Sequence, residues 1–227
     1  MNDISSVPAC VGIILDGNRR WAKAHGLPVF EGHHAGMEAL TRAVRFVSES
    51  GVRHLIVYAF STENWSRKEE EVTFLMNLFH ESIQKQMRVL GKEGVRVRFA
   101  GQRERFSDSL RQAMSEVEEE TKENETLTLW VCVSYGGRAE IVAAANAAAT
   151  NGEITEDSLA KNLWTAGMPD PDIVIRTSGE QRLSGFLPWQ SVYSELFFIN
   201  TFWPDFSKEE FDSVLAEYAQ RERRRGK

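Results

Sequence analysis

Short runs of β-branched and apolar residues along the chain alternate with longer stretches whose apolar positions recur at helical spacing. The short runs predict six strands, over 11–15, 55–60, 95–99, 127–133, 172–175 and 196–199. The periodic stretches predict helices over 36–50, 69–90, 107–124, 138–150, 155–164 and 207–223. Strand and helix in alternation argue for a largely parallel sheet, because parallel neighbours need a crossover between them. The expectation is one α/β domain over residues 1–227, a six-stranded mostly parallel sheet with helices on both faces. No repeat, low-complexity tract or linker divides it.

In such sheets ligands bind outside the carboxyl ends of the strands. The segments that follow those ends are LDGNRRW, FSTENWSR, SYGGR and IRTSGEQR, each dense in Gly, Asn, Ser and Arg. Composition narrows the partners. With 27 basic and 33 acidic residues among 227 the net charge is −6, opposite to the electrostatic footprint of a nucleic-acid binder. No run approaches the roughly 18 apolar residues of a membrane span, and the first residues lack a secretory leader's pattern. Both cysteines, Cys10 and Cys132, fall in strand-like segments where thiols act as small hydrophobes, pointing to a reducing, cytoplasmic setting. Peripheral membrane contact stays open.

The chemistry begins at Asp16, directly after an apolar strand and followed by Gly17, Asn18, Arg19 and Arg20, with His33 close behind in EGHHAG. A carboxylate and glycine at a strand end make an ordinary turn. The same residues also suit a divalent ion bridged to diphosphate, since hard cations take oxygen ligands and guanidinium groups fork onto phosphate. No GxxxxGK[ST] or strand-following GxGxxG is present, which removes the common nucleotide folds. SYGGR offers either helix-start N–H groups for an anion or a tight packing turn. Arg176, Ser178, Gly179, Glu180, Arg182 and Ser184 form a second candidate anion cradle. Glu195 suits a metal ligand or an interface contact. Val72, Leu75, Met76 and Phe79 form a helical stripe that either faces the core or, with Phe60, Trp130 and Cys132, lines a long apolar cavity.

Taken in order, VGIILDGNRRWA, GHHAG, YAFSTENWSR, SYGGRAE and IRTSGEQRLS…WQSVYSELFF make the chain resemble the cis-prenyltransferases over nearly its whole length. The resemblance implies an elongated hydrophobic tunnel and a Mg²⁺-dependent transferase joining isopentenyl diphosphate to an allylic diphosphate. It implies farnesyl diphosphate as primer and a long undecaprenyl-type diphosphate as product, the lipid carrier for cell-wall glycans. Asp16 would be the catalytic, Mg²⁺-binding aspartate, with Glu195 a second metal residue near a dimer interface. Gly17, Asn18, Arg19, Arg20, Trp21 and His33 would hold the allylic diphosphate. Asn64 would serve the condensation, within a loop that Trp65 and Arg67 order and where Ser61, Thr62, Glu63, Trp65 and Arg67 contact substrate. Arg176, Arg182 and Ser184 would grip isopentenyl diphosphate. The ending Arg224, Arg225, Gly226 would match a terminal motif that reaches the partner subunit of a homodimer. The chain departs from the family at Val29, where many members carry arginine, and at Gly185 and Pro188 in the second-site loop. Trp130, if it points into the tunnel, implies short products. Two other readings accompany the main one, a short-chain or irregular prenyl diphosphate synthase and a non-catalytic partner subunit.

Overall fold

The computed structural model describes residues 7–150 and 152–222, so the Arg224, Arg225, Gly226 ending lies outside the described residues. Six strands, β1 (Cys10–Ile14), β2 (His54–Ser61), β3 (Val95–Ala100), β4 (Leu127–Tyr135), β5 (Ile173–Arg176) and β6 (Glu195–Phe198), form one sheet in the order β3-β4-β2-β1-β5-β6. Every pairing is parallel, not merely most of them. The order reverses at β1, which lies between β2 and β5, so the loops after β1 and β5 face one crevice.

Two helices separate β1 from β2. The first, α1 (Asn18–Ala24), occupies what the sequence pattern left as loop, and α2 (Val29–Glu49) begins seven residues before its expected start. The GHHAG glycines hid this helix, and packing explains them. A side chain at Gly32 would strike the Asn18 carbonyl oxygen at 2.1 Å, and one at Gly36 the Asn18 side-chain oxygen at 2.6 Å. The two glycines let α2 close onto the start of α1, which outweighs their poor helix propensity. Next comes α3 (Glu69–Ser82), continued by a π turn (Ile83–Met87) and α4 (Arg88–Lys92) where one regular helix was expected. The remaining helices are α5 (Asp108–Glu120), α6 (Gly137–Ala149), α7 (Glu156–Asn162) and α8 (Lys208–Gln220). Serine and threonine caps fix three of their starts, at Ser107, Thr155 and Ser207.

Strand alternation assigns the two faces of the sheet. Leu55, Val57, Leu127, Leu129, Val131 and Val133 pack with α2, α3 and α5 in the main core. Ile56, Tyr58 and Cys132 face the opposite cluster, against Phe186 and Leu187. A register shift between Tyr58 and Phe60 breaks the alternation. It turns Phe60 onto the α3 side, although it lies two residues from Tyr58. The bulge thereby aims the chain after it at the crevice.

The packing corrects one part of the cavity expectation, the place of Trp130 and Cys132. Val72, Leu75 and Met76 are half-buried near the crevice, but Phe79, Ile83 and Met87 are sealed into the core. Leu75 is the stripe residue that lines the cavity beside Asp16. Trp130 and Cys132 lie on the opposite face of the sheet from α3, with Trp130 beside His54. They cannot line a cavity shared with the stripe.

Candidate active site

Asp16 sits two residues beyond β1 and is clamped by its backbone. Its N–H donates to Thr177 Oγ1 at 2.9 Å, and that hydroxyl donates to the Asp16 carbonyl at 2.6 Å. Thr177, fully buried after β5, went unnoticed in the sequence because a threonine beside Arg176 reads as loop polarity. Gly17 follows with φ +115, and a Cβ there would meet the Phe202 ring at 2.9 Å, so glycine is required on both counts.

The Asp16 carboxylate lies between two arginines. Arg176 Nη2 donates to Oδ2 at 2.8 Å, and Arg20 Nη2 to Oδ1 at 3.1 Å. Burial would raise the carboxyl, but the hydrogen bonds and charges of Arg176 and Arg20 prevail and hold it below the ordinary aspartate range. Arg176, itself buried, donates also to Ser184 Oγ at 2.7 Å and to the Arg182 carbonyl at 2.5 Å. Arg20 reaches the other way, to Ser178 Oγ at 2.5 Å and Glu180 at 3.0 Å. Ser178 and Ser184 both adopt positive φ, so the loop after β5 is strained where it meets the arginines.

Two adjoining cavities open from this carboxylate. One, of about 250 Å³, is lined by Asp16, Ser61, Asn64, Arg67, Arg176 and Ser184, with Phe60 and Leu75 as its apolar wall. The other, of about 300 Å³, is lined by Asp16, Gly17, Arg19, Arg20 and Arg67. Asn18 and His33 line both. The Asn18 side-chain oxygen and His33 Nε2 are buried without a hydrogen-bond partner among the described residues, the mark of groups placed for a ligand. Burial first, then the positive charges of Arg67 and Arg19, lower the His33 pKa to about 4 against the opposing pull of Glu71, so the ring is neutral near pH 7.

Other expected contacts lie elsewhere. Trp21 turns away, donating from Nε1 to Asp205 at 2.7 Å and packing at a tilt against the His25 ring. Trp65 fastens the loop instead of lining it, donating to Ser134 Oγ at 2.8 Å beneath the Arg105 guanidinium. Thr62 packs where a Cβ of Gly136 would lie, and Glu63 is exposed. The Arg182 side chain is exposed and pairs with Glu180. The SYGGR glycines answer to packing, because a Cβ at Gly137 would fall 2.0 Å from Pro188 Cδ and the Gly137 N–H donates to the Gly185 carbonyl.

Glu195 is the largest departure. It begins β6 in register with Ile173, at the opposite end of the strands from Asp16, and is ion-paired with Arg221 at 2.8 Å. Within one chain it cannot share an ion with Asp16. Among the described residues no group of three or more His, Cys, Asp or Glu side chains converges to hold a metal. The site still suits magnesium, which keeps several waters and binds through one or two carboxylates plus substrate phosphate. Asp16 would supply the carboxylate, and a phosphate bound in the adjoining cavities the remaining oxygens.

A crevice at the switch point of a parallel sheet, with two arginine-lined cavities meeting at one carboxylate, defines an α/β enzyme for anionic, phosphate-bearing substrates. Comparison with known proteins makes the class specific. The family described as "Putative undecaprenyl diphosphate synthase" matches residues 14–226. Isoprenyl transferase of Neisseria gonorrhoeae is 46% identical over 225 residues, spanning 98% of this chain and 91% of the relative. The Thermotoga maritima isoprenyl transferase is 46% identical over 226 residues and spans 97% of each. Among solved structures, lavandulyl diphosphate synthase from Lavandula x intermedia, in complex with dimethylallyl diphosphate, superposes with a TM-score of 0.94 at 32% identity over 98% of this chain and 99% of that one. A probable undecaprenyl diphosphate synthase from Campylobacter jejuni gives 0.83 at 31%, over all of both chains. This chain belongs to the undecaprenyl diphosphate synthase family of isoprenyl transferases, whose substrates are isoprenoid diphosphates.

Proposed function

We propose that this chain is a Mg²⁺-dependent cis-prenyltransferase that condenses isopentenyl diphosphate with an allylic diphosphate, farnesyl diphosphate being the primer. Its product is a long, undecaprenyl-type diphosphate that carries cell-wall glycans. The observation that carries the reading is the position of Asp16 between Arg20 and Arg176, where the two cavities meet. The cavity lined by Arg19 and Arg20 takes the allylic diphosphate, and the Arg176–Ser184 side takes isopentenyl diphosphate.

Negative charge grows on the allylic diphosphate as its C–O bond breaks. Arg19, Arg20 and Arg67 are donors for that charge, and they act most strongly in the transition state. Asp16 would hold Mg²⁺, which supplies further neutralisation of diphosphate oxygens when bound. Arg176 and Ser184 hold the second substrate so that its double bond lies beside the forming cation. Asn64 is fixed for its task at this junction, its Oδ1 accepting the Ser61 N–H at 3.0 Å. Phe60 and Leu75 shield the reacting carbons from water.

A homodimer accompanies this reading. Its support is the outer edge of β6, unpaired among the described residues, with Val192 and Tyr193 about 70% exposed in the preceding segment. Glu195 and Arg221 belong to that face. A cytoplasmic location rests on the two buried free thiols. No helix of the described residues is long and apolar enough to cross a membrane, and membrane contact is left to the product.

One observation favours a second reading. The deeper half of the α3 stripe is closed by Phe79, Ile83 and Met87, which suits short or irregularly joined prenyl diphosphates. Incubation with farnesyl diphosphate, isopentenyl diphosphate and Mg²⁺, with an EDTA control and mass-resolved products, tests both. A ladder ending near eleven isoprene units supports the long-chain enzyme. Products of two to four units, or coupling of dimethylallyl diphosphate alone, support the second reading, and no product with any primer overturns both.

A further inference from the structure

Three acidic residues open α3, Glu69, Glu70 and Glu71. A helix N-terminus favours all three alike through its dipole. Only Glu71 leaves the solvent. Its side chain is 14% exposed, and one oxygen, Oε1, faces Arg67 Nη1 at 3.1 Å, Arg19 Nη1 at 3.7 Å and His33 Nε2 at 3.8 Å. These three groups come from three places, the turn before α3, α1 and α2. Each lines the cavity assigned above to the allylic diphosphate.

We propose that Glu71 is the internal counter-ion of that diphosphate pocket, a positioning residue that gathers Arg67, Arg19 and His33 on one point and competes with substrate for the two guanidinium groups. The proposal rests on the prenyl-transfer reading and adds a regulator to its site. A diphosphate in this cavity puts several negative charges near a fixed carboxylate. Coulomb interaction over roughly 5 to 6 Å, at a dielectric between those of protein and water, changes affinity by about tenfold per unit charge. The competition has a catalytic use. It loosens the released diphosphate, and it ties the α3 start, with the Asn64 turn before it, to α1 and α2. His33 belongs to the same balance, facing Arg67, Arg19, His34 and Glu71.

The experiment titrates inorganic pyrophosphate calorimetrically into wild type, Glu71→Gln and Glu71→Asp, and measures kcat and KM with both prenyl substrates and Mg²⁺. Glu71→Gln is expected to bind pyrophosphate at least about tenfold tighter, with KM for the allylic substrate lowered and kcat also lowered by about tenfold. A carboxylate that served only the fold would weaken binding and turnover together. Glu71→Asp, which draws the charge back by one methylene, is expected to shift both quantities the same way by less, and it carries the test if Glu71→Gln does not fold. Equal or weaker pyrophosphate binding in a folded variant overturns the counter-ion proposal while wild-type turnover keeps the prenyl-transfer reading. Failure of wild type to bind pyrophosphate overturns both.

Discussion

Asp16 and Glu195 are both acidic residues at strand ends, both paired with arginine at 2.8 Å, and they sit at opposite ends of the same sheet. Asp16 follows a strand at the switch point, has a second arginine on its other oxygen, and borders two open cavities. Glu195 opens an edge strand, and its arginine lies over the Phe197 ring at 3.9 Å. An Arg–carboxylate pair therefore does not make a catalytic centre by itself. Strand direction and the donors left over for a ligand decide it.

The contrast can be broken by mutation, and Asp16→Ala is expected to have the largest effect. Turnover should fall by about 1000-fold, the scale of losing a transition-state charge partner, in a variant that still folds but with a lowered thermal midpoint, because buried Arg176 loses its carboxylate partner. Glu195→Gln should cost at least tenfold less in kcat, because it acts only through the β6 face. Equal losses in a steady-state assay would erase the distinction between the two ends.

Gly137→Ala sharpens the comparison from the packing side. Its Cβ would overlap Pro188, so unfolding free energy should fall by about 2 kcal/mol in urea titrations. The shift should also raise KM for isopentenyl diphosphate, since Pro188 shares its loop with Ser184.

His33 supplies a pH signature at the Asp16 end. Folded, its pKa is about 4 against an ordinary 6.5, so the unfolded chain takes up the proton first. Stability is therefore complete above pH 6.5 and declines as the pH falls toward 4, by on the order of 2 kcal/mol. His33→Gln should flatten this part of the pH profile of unfolding. Asp16 acts at lower pH, since its depressed pKa gives stability that is present above the ordinary aspartate range and lost as pH falls below it.

The smallest effect is expected at Trp130. Its place on the face away from α3 predicts the same product lengths for Trp130→Ala as for wild type. Longer products would put it in the chain-binding space after all.

These expectations separate what the sequence makes legible from what it does not. All six strands and the crevice after β1 and β5 were readable, because β-branched runs and Gly/Arg-rich loops are local signals. The helix over GHHAG was not, since its glycines answer to Asn18 on another element. Thr177 and Glu71 escaped for the same reason, their roles being defined by partners far along the chain or by a side chain's turn inward. The motif Ser61 to Arg67 was legible as a unit, but its division into cavity-lining Asn64 and loop-fastening Trp65 depends on where the β2 bulge sends the chain. The distance of Glu195 from Asp16 was not legible, because a motif carries no strand direction.

Simultaneous occupancy of the two cavities beside Asp16 is the most direct test of the account. Calorimetry with a non-reacting thio analogue of farnesyl diphosphate, followed by isopentenyl diphosphate in the presence of Mg²⁺, measures it. The account predicts a 1:1:1 complex per chain, with isopentenyl diphosphate binding lost in Arg176→Ala while the analogue still binds. Mutually exclusive binding of the two diphosphates would contradict it.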